Sequence, residues 1–82
     1  MTKLNLNEIA EEYTDFVEFI IDYAQFVSGD EVMWEDENGK EWFGVVKNIK
    51  YNPHHDGFFT YETIIEGRLG VSIFLDGELE AV

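Results

Sequence analysis

Cysteine is absent from this chain of 82 residues, so neither a disulfide framework nor a thiolate zinc site can form. That absence agrees with a reducing cytoplasm, the expected location. Residues 1–7 show no charged, apolar and cleavage regions of a signal peptide. The longest apolar runs are three residues, as at 19–21, against the roughly 20 that cross a bilayer. We expect no membrane partner.

Basic residues are scarce. Five Lys and Arg face 18 Asp and Glu, giving a net charge of -13, whereas small domains usually carry a net charge of magnitude about 2–8. Residues 8–41 hold twelve acids and a single base, Lys40, while residues 42–82 hold six acids and three bases. Such a chain repels nucleic acid and anionic membranes and attracts a basic partner, so we expect no direct binding of nucleic acid.

The length fits one domain over residues 1–82. Residues 7–27 are predicted to form one helix, with Asn7 as its N-cap and Gly29 as its stop. Seven apolar residues at helical spacing support this prediction. They are Ile9, Tyr13, Phe16, Val17, Ile20, Ala24 and Val27.

Residues 31–37 and 40–51 are predicted to form a β-hairpin, because Asn-Gly at 38–39 favours a two-residue type I′ turn. This register pairs Trp34 with Phe43 and places both on the core face with Val32 and Val45. It places Trp42 on the opposite face, where the side chain would be exposed.

Two or three further strands follow a loop at 52–57. Residues 58–66 alternate in polarity, and Leu69, Val71, Ile73 and Leu75 recur with a period of two. Residues 78–82 form either a short last strand or a frayed tail. We therefore predict an α+β fold in which one N-terminal helix packs on a four- to five-stranded antiparallel sheet. The alternative is an SH3-like barrel with an added helix, because residues 29–34 and 44–46 are similar to the opening strands of such barrels.

The acids are expected to be arranged as a binding surface. On one helix, five carboxylates would form a stripe opposite the apolar face, spanning roughly 21 Å at a rise of ~1.5 Å per residue. No base lies at i+4 to relieve their repulsion, which costs a few tenths of a kcal/mol per pair. Three acids of the hairpin and one exposed tryptophan would extend the surface. The candidate partner-binding residues are Glu8, Glu11, Asp15, Glu18, Asp22, Glu35, Asp36, Glu37 and Trp42.

The spacing of about 5 Å between carboxylates is comparable to the ~3.4 Å between phosphates along one DNA strand. The leading hypothesis is therefore an acidic inhibitor or modulator that binds a basic nucleic-acid-binding protein by mimicking the phosphate backbone. In size and charge the chain resembles small acidic proteins that phages and mobile elements direct against restriction, CRISPR or transcription machinery. This resemblance is compositional and involves no motif.

A second hypothesis assigns the acids to solubility alone. The protein would then be a small interaction module that binds through an aromatic patch containing Trp42, Tyr51 and Phe58. The aromatic residues of the predicted helix (Phe19, Tyr23 and Phe26) would either widen the core or form a homodimer interface.

No catalytic or cofactor signature is present. The seven glycines are separated, so no loop cradles phosphate, and neither Ser28 nor Ser72 has a neighbouring His in sequence. His54, His55 and Asp56 form the best metal candidate, but adjacent histidines rarely converge on one ion, and the EF-hand spacing fails. The sequence thus predicts a non-enzyme without cofactor or metal.

Overall fold

The computed structural model describes residues 5–82. Residues 1–4 lie outside the described residues. The expectations that residues 1–7 lack a signal peptide and that residues 1–82 form one domain fall partly on them. Within residues 5–82, two helices precede five strands. They are α1 (Leu6–Glu11), α2 (Phe16–Tyr23), β1 (Glu31–Glu35), β2 (Glu41–Asn52), β3 (Phe58–Ile65), β4 (Ser72–Leu75) and β5 (Glu80–Ala81).

The strands form one antiparallel sheet in the order β4-β3-β2-β1-β5. This confirms the α+β prediction of helices packed on an antiparallel sheet. The sheet curls around its core, and the ring of Phe74 in β4 lies 5.4 Å from that of Trp34 in β1. Among residues 5–82, β4 and β5 are not paired with each other, so the sheet has two free edges.

The prediction of one helix over residues 7–27 is wrong. α1 ends at Glu11, and α2 starts where the Asp15 carboxylate accepts the N–H of Val17 at 2.9 Å. The second helix ends at Tyr23, because Ala24 is extended with ψ of 148°. The cap of α1 is Asn5, which accepts from the amides of residues 7 and 8.

Asn7, predicted as the cap, instead ties α1 to the loop between β2 and β3. Its side-chain N–H groups donate to the carbonyls of Pro53 at 2.7 Å and His55 at 2.8 Å, and its side-chain oxygen accepts the hydroxyl of Tyr51. These hydrogen bonds join residues more than 40 positions apart and fix α1 on the sheet.

The core lies between the two helices and the concave face of the sheet. Phe19 of α2 is fully buried, and its ring lies 5.1 Å from Tyr51 and 5.4 Å from Phe59. The ring centroids of Phe26 and Tyr61 lie 5.7 Å apart. The sequence left open whether Phe19, Tyr23 and Phe26 widen the core or form a homodimer interface. Phe19 and Phe26 belong to the core.

The hairpin register is shifted by one residue from the prediction. Trp34 lies opposite Trp42, and Phe43 lies opposite Met33. The N–H of Asp36 donates to the carbonyl of Lys40, closing a three-residue loop over 37–39 in place of the expected two-residue turn. A shift of one residue exchanges the faces of a strand. Trp42 therefore lies on the core face, and Phe43 lies on the opposite face.

Strand β3 confirms the predicted alternation, since Phe59, Tyr61, Thr63 and Ile65 are buried. The fourth strand is shorter than residues 69–75, and Phe74 is its core residue. The four apolar residues that recur with a period of two there are all exposed. The tail forms a short strand, β5, which pairs with β1.

Candidate partner-binding surface

The first five candidate acids lie in the two helices or at a helix cap, which together we call the helical layer (residues 6–23). Glu8 and Glu11 belong to α1, whereas Glu18 and Asp22 belong to α2 and Asp15 caps it. All five are exposed. Because the helix is interrupted at residues 12–15, they do not form the continuous stripe that one helix would produce.

Two of these five carboxylates have structural roles. Asp15 accepts the Val17 amide, as a helix N-cap does. Asp22 accepts the hydroxyl of Tyr13 at 2.6 Å, and this hydrogen bond raises the pKa of Tyr13. Within residues 5–82 no base forms an ion pair with any acid of the helical layer. Glu8, Glu11 and Glu18 are consequently the carboxylates most available to a partner.

Asp36 is committed to the hairpin loop. Its carboxylate accepts the amides of Asn38 at 2.9 Å and Lys40 at 3.0 Å and the indole N–H of Trp42 at 2.9 Å. The hydrogen bond from Trp42, followed by those from the two amides, holds the pKa of Asp36 below its ordinary value. The predicted role of Asp36 in partner binding stays a prediction, for a carboxylate that already accepts three hydrogen bonds within the hairpin. Its neighbours Glu35 and Glu37 are exposed.

Trp42 is also part of the structure rather than an exposed aromatic. Its ring stacks on Trp34 at 6.3 Å, with 29° between the planes. The Lys40 ammonium lies 4.1 Å from its centroid, and the Arg68 guanidinium lies 5.1 Å from Trp34 and 5.5 Å from Trp42. Two basic side chains are thereby held against aromatic rings, where the ring quadrupole attracts them.

The remaining described bases lie in β2. Lys50 forms an ion pair with Glu62 at 3.0 Å, which lowers the pKa of Glu62, and Lys47 lines a groove on the convex side of the sheet. The charges of residues 5–82 are thus segregated. The helical layer holds acids alone, and all four bases lie in or beside the sheet.

Apolar surface accompanies the acids of α2. Phe16, Val17 and Ile21 are at least half exposed. Val17 and Ile21 line a groove of about 330 Å³ with Ile20 and Val27. The sequence prediction missed this groove, because it assigned Val17 to a core-facing stripe and extended the helix through Val27.

The convex side of the sheet, which we call the outer face, is a second apolar surface absent from the prediction. The apolar residues that recur with a period of two in residues 69–75 indicated part of this surface. The wrong hairpin register placed Phe43 and Val45 of β2 on the core face instead. The exposed apolar side chains of the outer face are Phe43, Val45, Ile64, Val71, Ile73 and Leu75.

The histidine loop carries no metal cluster in the described part of the chain. The rings of His54 and His55 are 4.0 Å apart on an exposed loop. Residues 5–82 contain no group of three His, Cys, Asp or Glu side chains arranged to hold an ion. None of the helices in that range has the length and apolarity needed to cross a bilayer.

Comparison of the chain with protein families, curated proteins and solved structures finds no match.

Proposed function

We propose that the protein is a non-catalytic inhibitor or modulator. Its helical layer binds the basic surface of a nucleic-acid-binding protein in place of the phosphate backbone. The observation that carries this proposal is the segregation of charge: Glu8, Glu11 and Glu18 are exposed in a layer where residues 5–82 provide no basic side chain. Lys and Arg side chains arranged to grip phosphates also pair with carboxylates.

The exposed apolar residues of α2 support an interface rather than a surface kept acidic for solubility alone. Val17 and Ile21 lie one helical turn apart, and Glu18 and Asp22 follow them in sequence. An interface commonly combines a desolvated apolar centre with a charged rim. The groove beside Ile21 would receive an apolar side chain of the partner, while the carboxylates pair with its bases.

The test is capture of a nucleic-acid-binding protein from lysate at two salt concentrations, with and without competing DNA. Counterion release makes such binding weaken steeply as salt rises. Replacing Glu11 and Glu18 with Lys should reduce capture at least tenfold. The matched control replaces Glu41 and Glu80, also exposed, with Lys, which changes the net charge equally. Equal loss in both variants, or capture that salt and DNA leave unchanged, would refute the proposal.

A second candidate function is an interaction module that binds through apolar surface, with acids serving only solubility. The apolar outer face favours it, and Trp42, the aromatic candidate from the sequence, lies on the opposite face of the sheet. Binding of this type should persist at high salt and tolerate the Glu11 and Glu18 reversals. We further propose a cytoplasmic location, because the chain contains no cysteine.

A further inference from the structure

We propose that the outer face is the interface of a homodimer in which two copies of the chain pack sheet against sheet. The proposal concerns the side of the molecule opposite the helical layer, and it does not depend on the proposed function.

Five of the six apolar residues of the outer face lie on three adjacent strands, and Val71 immediately precedes β4. Val45 of β2 lies directly opposite Ile64 of β3, and Phe43 precedes Val45 by two positions on the same face. On the far side, Ile73 of β4 pairs with Glu62 of β3, and Leu75 pairs with Thr60. The six side chains therefore lie on one face of the sheet and form an apolar patch into which the polar Glu62 and Thr60 project.

The extent of this patch matches the requirement of a stable dimer. Its members expose between 37% and 65% of their area. With roughly 150–250 Å² for an aromatic side chain and less for an aliphatic one, the exposed fractions give the patch on the order of 500 Å². A standard interface buries about 800 Å² per partner, and homodimer interfaces are about 65% apolar. The patch therefore supplies nearly all the apolar area that such a dimer would bury.

The outer face carries both a groove and exposed apolar side chains beside it. Phe43, Val45 and Ile64 line a groove of about 550 Å³. Ile73 and Leu75 project from the adjoining strand β4, with Ile73 65% exposed. In a two-fold dimer each surface meets the same surface of the other copy. The β4 side chains of each copy would then fill the groove of the other copy.

Charge also selects a second copy as the occupant. The outer face carries Lys47 and the ion pair of Lys50 with Glu62, and Glu31 and Glu66 line the groove beside Lys47. Both signs are therefore present on it. Two chains of net charge -13 repel each other least when such mixed faces meet and the acidic helical layers point away from each other.

The experiment measures the monomer–dimer equilibrium of the full chain by analytical ultracentrifugation over a concentration series. Ile73→Lys places a charge in the interface and should raise the dissociation constant at least tenfold. The matched control is Ile21→Lys in the helical layer, since Ile21 is 61% exposed and undergoes the same change. It should alter the dissociation constant less than twofold. Circular dichroism establishes that both variants are folded.

A cross-linking experiment provides the second readout. Because the chain contains no cysteine, Ile64→Cys introduces a single thiol at the centre of the patch, and Ile21→Cys introduces one outside it. Oxidation should yield a disulfide-linked dimer far faster for Ile64→Cys. Equal rates for both would overturn the proposal, as would a wild-type chain that remains monomeric at about 1 mM.

Salt separates this inference from the proposed function. Dimerisation through the outer face should strengthen or stay constant as salt rises, because screening reduces the repulsion between the two acidic chains. Binding of a basic partner should weaken over the same range. A dimer that dissociates at high salt would contradict the apolar interface and leave the test of the helical layer unaffected.

Discussion

The indole N–H of Trp42 donates to the carboxylate of Asp36 at 2.9 Å, while the same carboxylate accepts two amides of the loop that follows it. One side chain thus fixes the β1–β2 loop and orients the stacked tryptophans. The loop determines the hairpin register, and the register determines which residues reach the core. Asp36 is therefore a structural residue on which the identity of both sheet faces depends.

Removing the charge of Asp36 should change how stability responds to pH. The folded protein holds the pKa of this carboxyl below its ordinary value of 3.8. The stabilisation is therefore present above that ordinary value and is lost as the pH falls through the lower folded value. Urea unfolding at several pH values should show Asp36→Asn less stable than wild type at pH 7, with the difference shrinking below pH 4. Glu37→Gln serves as the control, and the same convergence in that variant would contradict the assignment.

The stabilising effect of the capping hydrogen bond from Val17 to Asp15 should be separable from that of the negative charge on Asp15. Asp15→Ala should destabilise the protein by about 1 kcal/mol, because the Val17 amide loses its acceptor. Asp15→Ser removes the charge but retains an oxygen acceptor, so most of the stability should remain. Thermal unfolding of the two variants provides the measurement, and equal destabilisation would show that the charge, rather than the cap, is what matters.

Tyr61 should contribute to stability through its hydroxyl as well as its ring. The hydroxyl accepts the backbone N–H of Gln25 at 2.7 Å and donates to the carboxylate of Asp76 at 2.5 Å. These two bonds link the segment after α2 to the β4–β5 turn. Burial, aided by Asp76, raises the pKa of Tyr61 further above neutrality than its ordinary value of 10.0. Tyr61→Phe should cost roughly 1–3 kcal/mol, because the Gln25 amide loses a partner. Unchanged urea unfolding would refute this role.

Gly44 should tolerate no side chain. A Cβ at this position would lie 2.4 Å from the carbonyl oxygen of Ile64, which is backbone and cannot move aside. Gly44→Ala should therefore cost roughly 2–4 kcal/mol through displacement of β2 from β3. Gly77→Ala is the comparison, because a Cβ at 77 meets no atom within 4 Å and strains only a φ of +86°. Its cost should be about 1 kcal/mol. A smaller loss at Gly44 than at Gly77 would contradict the steric argument.

The sequence was sufficient for the fold class because the helical and strand periodicities were strong over most of the chain. The interruption between the helices was missed, since apolar residues continue at helical spacing through Tyr13 and Phe16. A local signal was present: Asp15 followed three residues later by Glu18 is the pattern of a capping box. Capping chemistry, rather than hydrophobic periodicity, marks the start of α2.

The exposed surfaces were harder to predict, because they depend on one loop. Asn38-Gly39 favours a two-residue turn in isolation, but the side chain of Asp36 stabilises a longer loop by accepting two of its amides. The resulting shift moved Trp42 to the core face and Phe43 to the outer face. A local choice at the loop thus reassigned residues on both sides of the sheet, and alternation along the strands could not have revealed it.

The stacking of Trp34 on Trp42 has an optical consequence. Both tryptophans of the chain lie in this stack, whereas the aromatic residues of the helical layer are tyrosine and phenylalanine. Fluorescence excited selectively at the indole rings will therefore report whether the β1–β2 hairpin is intact. It will not respond to binding at α2. A partner that docks on the helices would be followed through tyrosine emission or an attached dye.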